Sequence, residues 1–164
     1  MKVERGGNRP ARHEQILDDP RHDSYKAKGK LADPTRCPNC GATYTNGRWT
    51  WSAAPGGAAE QLCPACHRIQ DGFPAGYVKL GGKYFGEHRD EILALVKNCE
   101  AKEKAEHPLQ RLIAIDDAED GVVVTTTDAH LARSIAEHIH DACKGSLALQ
   151  YSKEENLLRA TWTR

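Results

Sequence analysis

The chain has 164 residues, 39% hydrophobic, 28% charged and 6% aromatic, with a formal net charge of zero. No stretch approaches the roughly 18 apolar residues needed to span a bilayer, and with only two Phe and three Trp a single large core is not expected. One medium domain or two small ones are expected, and small cores of this kind usually need a staple.

The charge is uneven along the chain. Residues 1–36 carry nine Lys/Arg against six Asp/Glu, residues 37–98 six against five, and residues 99–164 eight against twelve. A basic beginning followed by an acidic second half suits an anionic partner engaged from the N-terminal side, although a solvated polar arm accounts for the same excess. The first residues lack the apolar run of a secretory leader, so the chain is expected in the cytoplasm, where reducing conditions disfavour structural disulfides.

Residues 1–33 contain scattered charges and glycines with almost no apolar periodicity, and a flexible basic arm is expected there. Residues 34–86 read as a zinc ribbon with an extension. Two matched knuckles, Cys37-Pro38-Asn39-Cys40-Gly41 and Cys63-Pro64-Ala65-Cys66, are separated by 22 residues. A C-x2-C loop turns both sulfurs to one side, and two facing loops supply the tetrahedron of sulfurs that zinc takes. A rubredoxin-like iron centre uses the same spacing and a redox thiol pair remains an alternative, as does His67 in place of Cys66. If all four ligands are cysteine, no coordination position is open to water, which points to one structural Zn2+ and away from an enzyme. Cys99 and Cys143 sit on helical patterns and read as small buried hydrophobes.

Between the knuckles, Asn46-Gly47 signals a two-residue hairpin, and Arg48-Trp49-Thr50-Trp51 suits a half-buried strand with both tryptophans on one face. After the second knuckle, residues 73–78 and 81–85 look like short extended pieces broken by glycines. Residues 87–107 form a linking helix, with Ile92, Leu93, Leu95, Val96 and Cys99 on one side and Pro108 as its stop. Residues 108–164 read as ββαββ. Strands at 112–115 and 122–127 precede a helix capped by Asp128, with Leu131, Ile135, Ile139 and Ala142 on one face, and two alternating strands follow Gly145. The fold class is therefore α+β: a flexible arm, a four-cysteine zinc ribbon, a linking helix, and a small antiparallel sheet with one helix packed on it.

Thr125-Thr126-Thr127-Asp128 with His130 could serve an active site, but a strand end plus a helix N-cap explains the same residues. His130, His138 and His140 lack the helical spacing of a metal pair. The ribbon offers a better surface. Arg36, Arg48, Trp49, Trp51, Arg68, Lys79, Lys83 and Tyr84 combine the cations and aromatics that suit irregular or single-stranded RNA. The competing role for the tryptophans is to cover the metal site.

Two segments carry a family resemblance. The first is Cys37-Pro38-Asn39-Cys40-Gly41 with Tyr44 and Gly47-Arg48-Trp49, followed by Cys63-Pro64-Ala65-Cys66. The second runs from His107-Pro108-Leu109-Gln110-Arg111 through Val122 to Arg133. Together they resemble the large-ribosomal-subunit export adaptors linked to nonsense-mediated decay, and in particular their short bacterial relatives. The resemblance runs from about residue 20 to the end. It implies binding to the ribosome or ribosomal RNA, in subunit maturation, quality control or stress-time hibernation. Neither a membrane nor a small-molecule substrate is expected as partner. Longer members carry two zinc sites, whereas this chain has cysteines for one. A zinc-stabilised protein-interaction or regulatory module not bound to ribosomes is the alternative.

Overall fold

A computed structural model describes residues 30–164 as an α+β structure with two sheets and four helices. The basic arm expected over residues 1–33 lies outside the described residues as far as residue 29.

The ribbon sheet is built from β1 (Thr35–Arg36), β2 (Thr43–Thr45), β3 (Arg48–Thr50) and β4 (Ala59–Glu60), in the order β3-β2-β1-β4. Asn46 and Gly47 close the β2–β3 hairpin with φ of 51° and 80°, the two positive values that let a two-residue turn follow the strand twist. β1 pairs antiparallel with β2 and parallel with β4. Helix α1 (Pro64–Asp71) starts on the second knuckle, with Cys63 as its N-cap and Pro64 in the first turn, where a missing N–H costs nothing.

The second sheet has the order β6-β7-β5-β9-β8. It is made from β5 (Gly76–Gly81), β6 (Leu112–Ala118), β7 (Gly121–Thr126), β8 (Ser146–Ser152) and β9 (Leu157–Thr163). The ββαββ order holds over β6, β7, α4 (Ala129–Cys143), β8 and β9. The four-stranded antiparallel sheet is nevertheless not complete by itself. β5, from the segment assigned to the ribbon extension, enters between the two hairpins, antiparallel to β7 and parallel to β9. Its alternation explains why: Val78 and Leu80 are fully buried while Lys79 is exposed, so β5 brings the apolar centre that joins β7 to β9.

Helix α4 covers one face of this sheet through Leu131, Ala132, Ile135, Ala136 and Ile139. Asp128 caps it, its carboxylate accepting the Leu131 N–H at 3.1 Å. A short helix α2 (Lys83–Glu87) and the long helix α3 (Arg89–Glu106) follow β5. The linking helix α3 packs on α4 and adds Ile92 and Val96 to the core, so two helices, not one, close this layer. Trp162 is the largest fully buried side chain, and its Nε1 donates to the Lys144 carbonyl at 2.6 Å.

The β6–β7 turn needs glycine. Gly121 has φ of 147°, and a Cβ there would lie 1.9 Å from the Leu80 carbonyl oxygen of the neighbouring strand. Gly121→Ala is therefore expected to destabilise the sheet by about 2 kcal/mol or more, read as a lowered urea midpoint. An unchanged midpoint would show that the β5–β7 spacing can relax.

Candidate metal centre

Cys37, Cys40, Cys63 and Cys66 converge, with all four Sγ atoms within 4.8 Å of one another. β1 delivers Cys37. The turn after it returns through Gly41, whose N–H bonds the Cys37 carbonyl at 3.0 Å, and brings Cys40 to the same side. The N-terminus of α1 delivers the second pair. Cys63 Sγ accepts the Cys66 N–H at 3.3 Å, and Cys37 Sγ accepts the Cys63 N–H at 3.3 Å. The two knuckles are thus hydrogen-bonded to each other through a sulfur.

The donor set fits a tetrahedral metal. Cys40 and Cys63 Sγ are 3.8 Å apart, and Zn–S bonds of about 2.3 Å in a tetrahedron place sulfurs about 3.8 Å apart. All six cysteines are free thiols, so no disulfide competes for these four. Burial pushes the Cys63 thiol strongly up and raises Cys40 as well. Cys37 also feels burial, but backbone N–H groups of Cys63, Cys40 and Asn39 outweigh it and lower the thiol to about 7. Four sulfurs this close, three of them buried and that of Cys40 half-buried, therefore do not all ionise near neutrality unless a cation joins them, which a thiolate-bound metal does. Cys37, Cys40, Cys63 and Cys66 would hold such an ion, and its chemistry would be structural cross-linking.

The ribbon has little else to hold it together. Its buried cluster consists of the three fully or nearly buried cysteines with Ala42 and Ala65, flanked by Cys40, Trp49, Leu62 and Leu109. Trp49 packs on this cluster and sits 5.6 Å from the Tyr44 ring, so it covers the sulfurs. Trp51 remains 37% exposed, and its Nε1 donates to the Lys104 carbonyl in the last turn of α3 at 2.6 Å. That bond satisfies one of the carbonyls a helix end leaves open and ties the hairpin to α3.

The other residues assigned to an RNA surface divide between two places. Arg36 and Arg48 are exposed, and strand register puts them on one face of the ribbon, opposite Tyr44 and Trp49. Arg36 approaches Glu60 at 3.9 Å, an exposed pair of small energetic weight. Arg68, expected on the surface, is instead buried. Its Nη1 donates to the Phe73 carbonyl at 3.1 Å and its guanidinium stacks over the Phe73 ring, closing the end of α1. Lys79, Lys83 and Tyr84 belong to β5 and α2, not to the ribbon. Lys79 and Lys83 are exposed, while the Tyr84 ring is already met by His88 and by the Arg164 guanidinium.

The threonine cluster has structural work. Thr125 Oγ1 accepts the Ala114 N–H, Thr126 Oγ1 donates to the Asp128 carbonyl, and Thr127 Oγ1 donates to the Leu109 carbonyl at 2.6 Å. His130 is exposed.

One further residue belongs to the centre. Arg111 is 7% exposed, and its Nη2 donates to both Cys63 Sγ at 3.2 Å and Cys66 Sγ at 3.0 Å. Burial works against its charge, but the bond to Cys66 and the nearby sulfurs outweigh this and raise its pKa. An arginine 45 residues beyond Cys66 carries no local signal of that role; the sequence marks Arg111 only as part of the segment that carries the family resemblance.

Among the described residues no helix is long and apolar enough to cross a membrane. Compared with protein-family models, with curated proteins and with solved structures, the chain finds no match in any of the three.

Proposed function

We propose that this chain is a non-catalytic zinc-ribbon protein that binds the ribosome through RNA, most directly RNA of the large subunit. The observation that carries the non-catalytic part is the cluster of four cysteine sulfurs. A metal held by all of them has no position left for water or substrate, and such closed sites are structural. Zinc is the ion proposed, because it takes four thiolates in a tetrahedron without redox demands. Metal analysis of the purified protein is expected to find close to one zinc per chain. A red protein with ferric-thiolate absorption would replace zinc by iron.

The RNA part rests on the resemblance to the ribosomal-subunit adaptors and on the ribbon's two exposed arginines. Arg36 and Arg48 suit phosphate contacts, and Trp51 keeps part of its ring open for stacking. In sucrose gradients of cell lysate the protein is expected to travel with large subunits or whole ribosomes at low salt. Arg36→Ala with Arg48→Ala is expected to weaken that association and to reduce its salt dependence, since each lost phosphate contact removes counterion release. Confinement to the top fractions at every salt concentration would overturn the ribosome reading and favour the protein-interaction module.

A further inference from the structure

Arg111 is one of two buried arginines among the described residues, and its guanidinium ends on sulfur. Its side chain comes from the start of the second sheet, crosses to the ribbon, and ends on two sulfurs of the second knuckle. The described residues give it no carboxylate, and its buried Nε has no hydrogen-bond partner. A guanidinium without a carboxylate or a carbonyl partner is held there by sulfur, and thiolate is the form of sulfur that attracts it.

Its mount is rigid. The Arg111 N–H donates to Thr127 Oγ1 at 2.9 Å, the Thr127 N–H donates to the Arg111 carbonyl at 2.9 Å, and Thr127 leads directly into the Asp128 cap of α4. Leu109, two residues earlier, packs against the cysteine cluster and is fixed in turn by Thr127 Oγ1. The end of β7, the start of β6 and the second knuckle therefore meet at one arginine.

We propose that Arg111 is a positioning residue of the metal centre: it orients Cys63 and Cys66, offsets part of the negative charge of a metal bound by four thiolates, and makes metal loading dock the ribbon on the second sheet. The inference rests on reading the four cysteines as a metal site. A divalent ion with four thiolates carries a net charge of minus two, and one buried guanidinium halves it. Hydrogen-bonding partners of metal ligands set ligand orientation and basicity, and their loss typically costs about 10- to 100-fold in metal affinity. Because Arg111 belongs to the second sheet, the same contact transmits the state of the site to that sheet. Metal removal is expected to loosen the Arg111 and Thr127 amides as well as the ribbon.

The test uses the whole chain, loaded with Co2+ as a spectroscopic probe and with Zn2+ for release. Arg111→Met is expected to keep one metal per chain, to shift the cobalt–thiolate charge-transfer band, and to release zinc to a chelator at least about tenfold faster. Arg111→Lys, which keeps the charge but not the planar fork, should recover part of the release rate. In the wild type, metal stripping should raise hydrogen exchange at Arg111 and Thr127. A folded Arg111→Met protein with the wild-type band and release rate would overturn the proposal. Should Arg111→Met fail to fold, Arg111→Lys decides by the same two readouts, and wild-type values there overturn it. A wild-type chain that gives no cobalt–thiolate band would overturn the metal reading itself, and this inference with it.

Discussion

Cys63→Ser is expected to abolish metal binding and to unfold the ribbon while leaving the second sheet in place. Cys63 is fully buried and makes three contacts at once. Its Sγ caps α1 by accepting the Cys66 N–H and also accepts an Arg111 N–H, and its own N–H bonds the Cys37 sulfur. Serine could still cap a helix, but its oxygen is a poor replacement for a thiolate ligand and its shorter bond leaves the tetrahedron open on one side. The energy at stake is large. Apparent binding of structural zinc reaches about 10–16 kcal/mol and appears as folding free energy. The ribbon's own buried residues, mostly cysteine and alanine, do not approach that by apolar burial. Metal per chain should fall from near one to near zero, and hydrogen exchange should rise throughout residues 34–66. The core around Val78, Ile135 and Trp162 contains none of these residues and should retain its protection. Full ribbon protection in the variant would sink the structural role of the metal.

Trp162→Ala should have the largest effect on the second sheet. Trp162 lies on β9 beside Leu80 of β5 and Leu147 of β8, under α4, with no exposed surface. Removing it leaves a cavity and orphans the Lys144 carbonyl at the end of α4, where Lys144 itself has φ of 60°. Truncations of this kind cost about 3–5 kcal/mol, a large share of the roughly 5–15 kcal/mol that holds a domain together. The urea midpoint should fall accordingly. Leu149→Ala, at a 38% exposed position on the edge strand β8, is the control and should cost less than about 1 kcal/mol. Equal losses for the two would mean that Trp162 is not the centre of the core.

The parts of this structure legible in the sequence are those whose signal is local. Two Cys-Pro-x-Cys loops announce a four-sulfur site because each loop sets the direction of its own pair. Asn46-Gly47 announces a hairpin because positive φ at both positions is a property of those residues. Asp128 announces α4 because a cap reaches only three residues ahead. The alternation of residues 147–151 and 158–162 likewise marks β8 and β9.

What failed to show was decided by partners far along the chain. β5 looks like an extended fragment because its partners on the two flanking strands lie 40 or more residues ahead, and only their pairing makes it the middle of a sheet. Arg68 looks like a surface cation because arginine usually is one; the Phe73 carbonyl and ring turn it inward. Trp49 and Trp51 share a sequence motif, yet one faces the sulfurs and the other reaches Lys104.

Local chemistry by itself thus determined the four-cysteine site, the hairpin, and the cap and face of α4, since each depends on residues a few positions apart. Tertiary structure alone decided that the site is shared. The sulfurs come from the ribbon and the guanidinium from the far sheet, and a charge meets its counterpart across 45 residues only after the backbone between them has been folded.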